Sequence, residues 1–206
     1  MAITNGYATL NDVKAAFRIP VSDTVDDTLL ELSIEAASRE IDGWCERVFY
    51  NAGTATRVYI PTDAYYIETD DIISITTLKT STTGESFDNT WTDPGDYQLE
   101  PLNGISGGLT GHPTTRIRAI GNKVFPLWDP RNINSHEATV QIVGVFGWSA
   151  VPTAVKQACI ILAQRMFKRF DTPLGITYDE LGAMRVGRVD PDIQNLLSPF
   201  KKVRMA

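Results

Sequence analysis

A chain of 206 residues with 43% hydrophobic content is long enough to bury one large core or two smaller ones. Its formal charge of −6 is unevenly spread: residues 1–150 carry 10 Lys and Arg against 20 Asp and Glu, and residues 151–206 carry 9 against 5. An acidic body excludes a general nucleic-acid binder, which needs a basic face to displace counterions from phosphates, and apolar runs as short as ACIILA and VGVFGW exclude a membrane span.

The opening MAITNGYATLND has neither the basic region nor the apolar region of a secretion signal. A short helix is expected over Leu10 to Ile19, capped by Thr9, with Leu10, Val13 and Phe17 on its buried side and Pro20 ending it. The strongest periodic signal follows, from Asp26 to Tyr50. There Leu30, Ile34, Ala37, Ile41, Trp44 and Val48 recur at the alternating four- and three-residue spacing of one helical stripe. Asp23 or Thr24 is placed to cap this helix, and Asp26 and Asp27 sit where the dipole favours carboxylates. The opposite face carries Glu31, Glu35, Glu40, Asp42 and Glu46, relieved by Arg39 and Arg47.

After Tyr50 the texture changes. Asn51 to Thr56 reads as loop, and the stretch from Arg57 to Gly147 is rich in Thr, Ile, Val, Gly, Pro and aromatic residues. Strands are expected at Arg57 to Ile60, Tyr65 to Ile67, Ile72 to Lys79, Tyr97 to Leu99, Thr115 to Ile120 and Ala138 to Phe146. Thr83-Gly84, Asp93-Pro94-Gly95, Gly107-Gly108 and Asp129-Pro130 mark the loops between them. Helix returns after Trp148 with Pro152 early in it and Val155, Ala158, Cys159, Leu162 and Met166 as its apolar stripe. From Thr172 a Gly-containing linker leads to Asp190-Pro191, a short amphipathic helix and the terminal run SPFKKVRMA. That tail has too little apolar surface to fold alone and needs something to lie against. The fold class is α+β: a helical hairpin or bundle core made from both chain ends, residues 1–54 plus 148–206, carrying an inserted antiparallel β domain at 55–147. Trp44 and Cys45 are expected to meet Cys159 and Leu162 where the two long helices cross. Cys45 and Cys159 read as reduced, buried thiols of a product made in the cytoplasm.

Motifs that carry chemistry are sparse. Gly104-Ile105-Ser106-Gly107-Gly108 fits G-x-S-x-G, with Asp129 and His136 following in the chain order of a hydrolase triad. A nucleophile elbow lies between a strand and a helix, whereas Gly108, Gly111 and Pro113 follow Ser106, so the stretch reads as a flexible loop. Asp63, Glu68, Asp70 and Asp71 match no calcium-loop spacing and read as acidic turns bounding the strand at Ile72. His112 and His136 have no ligand-spaced partner, so no zinc site and no cofactor is proposed. Trp91, Tyr97, Trp128 and Trp148 lack interleaved basic residues and read as packing residues, not base-stacking platforms.

Five phrases, YATLNDVKAAF, LLELSIEAASREIDGWCERVF, IETDDIISITTLKT, TVQIVGVFGWSAVPTAVKQACIILAQRMFKR and DPDIQNLLSPFKK, occur in an order that resembles the head-tail connector, or head-completion adaptor, proteins of long-tailed bacteriophages. The resemblance implies a virion structural protein without catalysis, built into the neck at the portal vertex. It implies a homo-oligomeric ring of about a dozen copies beneath the portal protein, extending the DNA channel and docking the stopper and tail-terminator proteins. Genomic DNA would pass through without sequence-specific binding, and no membrane is involved. The minimal members of that family are nearly all helical, and the strand insertion is a departure from them. Two site expectations follow. Glu31, Glu35, Asp42 and Glu46 line the channel or meet basic residues of the adjacent copy. Ile193, Leu196, Leu197, Phe200, Lys201, Lys202 and Arg204 form a tail that orders on a partner, the portal first and the adjacent copy second. A stopper is the nearer rival role; a β-type adhesion or ligand-binding module and a serine hydrolase at Ser106 are rivals of other classes.

Overall fold

The structure is a computed structural model that describes residues 3–81, 86–127, 138–170 and 190–202, and the backbone of 176–179 and 182–185. The chain divides into two units, Met1–Phe49 with Val151–Ala206 and Tyr50–Ala150. With four helices and a six-stranded antiparallel sheet among the described residues, it is α+β as expected.

In the helical unit, α1 spans Leu10–Phe17. Thr9 Oγ1 accepts from the Asp12 amide at 3.2 Å and Asp12 Oδ2 accepts from the Thr9 amide at 2.9 Å, a reciprocal cap. The helix stops two residues before the expected Ile19. Arg18 turns left-handed at φ 61° and the Ile19 amide closes back on Lys14 O at 2.9 Å, so the helix ends ahead of Pro20, before which the helical conformation is disfavoured. α2 spans Asp27–Cys45, starts at Asp26 without a side-chain cap, and ends where Glu46 turns left-handed at φ 55°. The expected cap Asp23 instead accepts from the Val25 amide at 3.2 Å within the preceding turn. α3 spans Thr153–Lys168 and α4 Pro191–Leu197, followed by a 3-10 turn at Ser198–Phe200.

The buried stripe of α2 is Leu30, Ile34, Ala37, Ile41 and Cys45, and it faces Val155, Ala158, Cys159 and Ala163 of α3. Small residues at the crossing let the backbones approach: Ser38 Oγ lies 3.5 Å from Cys159 Sγ and donates to Ile34 O at 2.7 Å. Cys159 therefore meets the middle of α2, earlier than the expected pairing with Trp44 and Cys45, because Ser38 and Ala37 leave the room there. Both cysteines are free and buried. Lys156 ties α3 to Asp12 of α1 at 2.9 Å, and Phe17 packs edge-on to Phe167 at 5.4 Å. The hydrogen bonds from Thr9 and Lys156 outweigh partial desolvation and hold the Asp12 carboxyl down at about 2.

The strand unit comprises β1 (Asn51–Tyr59), β2 (Tyr66–Thr80), β3 (Asn89–Trp91), β4 (Tyr97–Glu100), β5 (Thr114–Ala119) and β6 (Val140–Gly147). Their order is β1-β6-β2-β5-β4, with β3 also on β2, and every pairing is antiparallel. β2 merges two expected strands: its first part pairs with β5, its second with β6, and a register shift between Glu68 and Ile72 lets one strand serve both. Asn51 to Thr56, read as loop, is strand. It pairs with β6 at the sheet edge, where a half-exposed strand needs no alternating apolar pattern. Gly147, at φ 98°, is obligatory there, since a Cβ would stand 2.0 Å from Tyr50 O. The core holds Ile67, Ile72, Leu78, Ile117, Ile142 and Phe146, with Trp91 stacked on Phe125 at 4.8 Å. Two further short strands, β7 (Ile176–Asp179) and β8 (Gly182–Arg185), form a hairpin within the stretch read as a linker. The loop markers Thr83-Gly84 and Asp129-Pro130 lie outside the described residues.

Lys14 is a buried charge that periodicity did not single out. Its ammonium pairs with Asp27 and donates to Asp23 O at 2.6 Å and Val21 O at 3.4 Å, joining α1 to the start of α2. Removing it leaves Asp27 and two inward carbonyls without their donor. Lys14→Ala should lower unfolding free energy by about 3 kcal/mol in urea denaturation; an unchanged midpoint would contradict this role.

Candidate functional site

The acidic row of α2 is not uniform. Glu35 accepts from the Thr4 amide. Asp42 accepts from the Tyr7 hydroxyl and pairs with Arg39 at 3.2 Å. Tyr7 in turn accepts from the Phe49 amide at 2.8 Å, and its own amide donates to Ser38 Oγ at 3.1 Å. These two carboxylates therefore hold the N-terminal segment against α2. Burial pushes the Asp42 carboxyl upward despite Tyr7 and Arg39, and burial with the neighbouring Asp42 pushes the Tyr7 phenol upward. Glu31 is half-buried on α2, and Glu46 is exposed just past its end. Tyr7 had no signal in the sequence, because its partners lie 31 to 42 residues away and one is a backbone amide.

The tail lies against its own chain. Ile193, Leu197 and Phe200 are buried and Leu196 is half-buried. Phe200 packs edge-on to Phe49 at 5.8 Å, and Phe49 packs likewise on Tyr7 at 5.7 Å. The Lys202 amide donates to Cys45 O at 3.0 Å, satisfying a carbonyl at the end of α2, and the Lys201 ammonium stands 5.3 Å from the Trp44 ring centre. Arg165 pairs with Asp190 at 3.0 Å. The apolar residues expected to wait for a partner thus close the helical core; Arg204 lies outside the described residues. Between α2, α3 and α4 lies a groove with a cavity volume of about 110 Å³, with Trp44, Leu162, Met166 and Ile193 on its apolar wall.

Residues of other candidate chemistries separate. Ser106 sits in a tight hairpin, with amide-to-carbonyl bonds to and from Leu109 at 3.0 and 2.9 Å, and no helix starts after it as an elbow requires. Asp129, His136 and Trp128 lie outside the described residues. Asp63 accepts from the Tyr65 amide at 2.7 Å, Asp70 pairs with Arg57 at 2.6 Å, and buried Asp71 accepts from Trp148 Nε1 at 2.8 Å. Glu68, Asp70 and Asp71 are therefore strand residues, not turns, and Asp70 and Asp71 have separate partners. Among the described residues no three His, Cys, Asp or Glu gather as a metal site, and no helix is long and apolar enough to cross a membrane. His112 packs on Trp148 at 5.0 Å, and Trp91 and Tyr97 are core residues.

The fold joins a four-helix unit from both chain ends to an antiparallel strand unit. Residues 7–98 match the family model described as phage gp6-like head-tail connector protein, which bears out the resemblance read from the sequence. The match runs from Tyr7 through α1, α2 and the first three strands into β4, so part of the strand block lies within the family pattern. No curated protein matches the chain. In fold it is similar to a chain in the neck of an empty gene transfer agent particle computed with C6 symmetry (TM-score 0.58, 16% identity, covering 100% of this chain and 95% of that one). It is similar also to a chain of a native gene transfer agent virion (TM-score 0.55, 16% identity, with the same coverage).

Phe200 sits over the end of α2, where burial pushes the Cys45 thiol up to about 12. Phe200→Ala should cost about 3–5 kcal/mol by denaturation and make Cys45 accessible to a thiol reagent at pH 8. An unchanged stability with Cys45 still unreactive would show that the tail is not part of the core.

Proposed function

We propose that this chain is the structural head-to-tail adaptor of a long-tailed, siphovirus-type phage. The observation that carries this reading is the family match over residues 7–98. The likeness in fold to a chain of a C6-computed neck, over the whole of this chain, agrees with it. In this role the copies form a dodecameric ring under the portal and complete the head. The ring continues the DNA channel and presents a platform to the stopper and tail-terminator proteins. Twelve copies are compatible with a neck averaged six-fold.

The surfaces suit structural work. For the acidic row Glu31, Glu35, Asp42 and Glu46 a channel-lining or inter-subunit role is proposed, and Glu35 and Asp42 in addition hold the N-terminal segment. A negative lining repels the phosphate backbone and lets DNA slide without sequence-specific contact. The basic end of the tail, Lys201 and Lys202, with Arg204 beyond the described residues, is the part of the proposed portal anchor left once Ile193, Leu197 and Phe200 are counted as core. An adaptor is favoured over a stopper because the match includes the helical hairpin α1–α2.

Purified protein mixed with DNA-filled, tailless heads should add a ring of density at the unique vertex in electron micrographs. Bare vertices with folded protein in excess would overturn the adaptor reading.

A further inference from the structure

The helical unit presents two unmatched surfaces of opposite shape. Leu29 and Leu32 on α2, and Val25 in the turn just before it, are 40%, 46% and 88% exposed. Ala36, also exposed, continues from Leu29 and Leu32 at the three-four spacing that keeps residues on one helix face. The row is an apolar ridge in an acidic setting: Asp26, Glu31 and Glu35 lie in or beside it, and no Lys or Arg occurs from residue 19 to 38. Water gains nothing from covering three large aliphatic side chains in line, so a second surface that removes them is favoured.

The complementary shape is the groove between α2, α3 and α4. Trp44, Leu162 and Met166 offer half-buried apolar wall, and Arg165 and Arg169 stand on the rim, with exposed Lys168 beside them at the end of α3. Of the carboxylates in the lining, Asp190 is paired with Arg165 at 3.0 Å, leaving Glu40 as the other. Side chains at helical spacing fit the furrow between packed helices as ridges fit grooves.

From these two surfaces we infer that the Val25–Leu29–Leu32 ridge of one copy seats in the α2–α3–α4 groove of the next copy of this chain. The partner is a second copy because the two patches match in charge as well as shape: the exposed Asp26 carboxylate beside the ridge and the exposed Arg169 guanidinium on the groove rim carry opposite charge. Ridge against ridge would instead set Glu31 and Glu35 of two copies side by side, which opposes a symmetric dimer. Ridge and groove are different patches, so the contact is heterologous and repeats head to tail, as a closed ring requires. The inference deepens the adaptor reading and rests on it for where the ring assembles.

Two single variants of the full chain, Leu32→Cys and Gln194→Cys, place thiols on the exposed ridge and on the exposed groove rim, while the native cysteines are buried. Leu29→Cys is the alternative on the ridge should Leu32→Cys fail to fold by circular dichroism. Treated with a short bis-maleimide, the mixed variants should give dimers, each alone none, and the double variant a ladder. The reaction is run both on DNA-filled heads and in concentrated solution. Leu29→Asp with Leu32→Asp should lower ring occupancy or self-association by about tenfold or more. Vertex density without the mixed cross-link, or dimers from either single variant alone, would overturn this interface and leave the adaptor reading standing. A ladder in solution with bare vertices would keep the interface and remove the adaptor reading. Bare vertices with no ladder would overturn both.

Discussion

The helical unit depends on the close approach of α2 to α3. At the crossing a serine hydroxyl and a thiol, Ser38 and Cys159, sit 3.5 Å apart, which needs Ala37 and Ala158 beside them to be small as well. Because these positions are 121 residues apart in sequence, the two chain ends must come together before the α2 stripe is buried. Everything else in that unit attaches to this pair: Lys156 brings α1 to α3, Tyr7 and Glu35 lay the N-terminal segment on α2, and Phe200 closes the far end over Phe49. Long-range pairing of this kind makes the unit slow to nucleate relative to a local hairpin.

The same constraint explains what the sequence made legible. The α2 stripe could be read because a 3.6-residue period over five turns has few alternative explanations, and four of its six predicted members, Leu30, Ile34, Ala37 and Ile41, are buried. Its end could not be read: Val48 keeps the period, yet Glu46 leaves the helix because the Cys45 carbonyl is taken by Lys202, a partner far along the chain. Edge pairing hid β1, whose residues Asn51 to Thr56 look like loop until β6 is beside them. The acidic cluster at 68–71 was misread as turns because a bulge in β2 carries both an exposed Asp70, paired with Arg57, and a buried Asp71, held by Trp148.

Of the candidate site, composition and order marked the residues but not what they are already bonded to. Asp42 and Glu35 are acidic and on the expected face, but a hydroxyl and an amide from the N-terminal segment occupy them. Ile193, Leu197 and Phe200 have the make-up of a docking segment and are docked on their own chain. No periodicity could tell these cases apart, since a segment that binds its own core and one that binds another protein carry the same apolar and basic residues. What remains on the outside is a ridge, a groove and charges of opposite sign beside them, a set suited to assembly between copies.

The account turns on the claim that the free chain completes its helical unit with its own C-terminal segment. Hydrogen exchange on the protein without any partner tests it most directly. Amides of residues 193–200 should be protected together with those of residues 34–45, opening as one unit. Exchange of 193–200 at the rate of an unstructured peptide, with 34–45 still protected, would contradict the account and return the tail to the role of a segment that folds only on a partner.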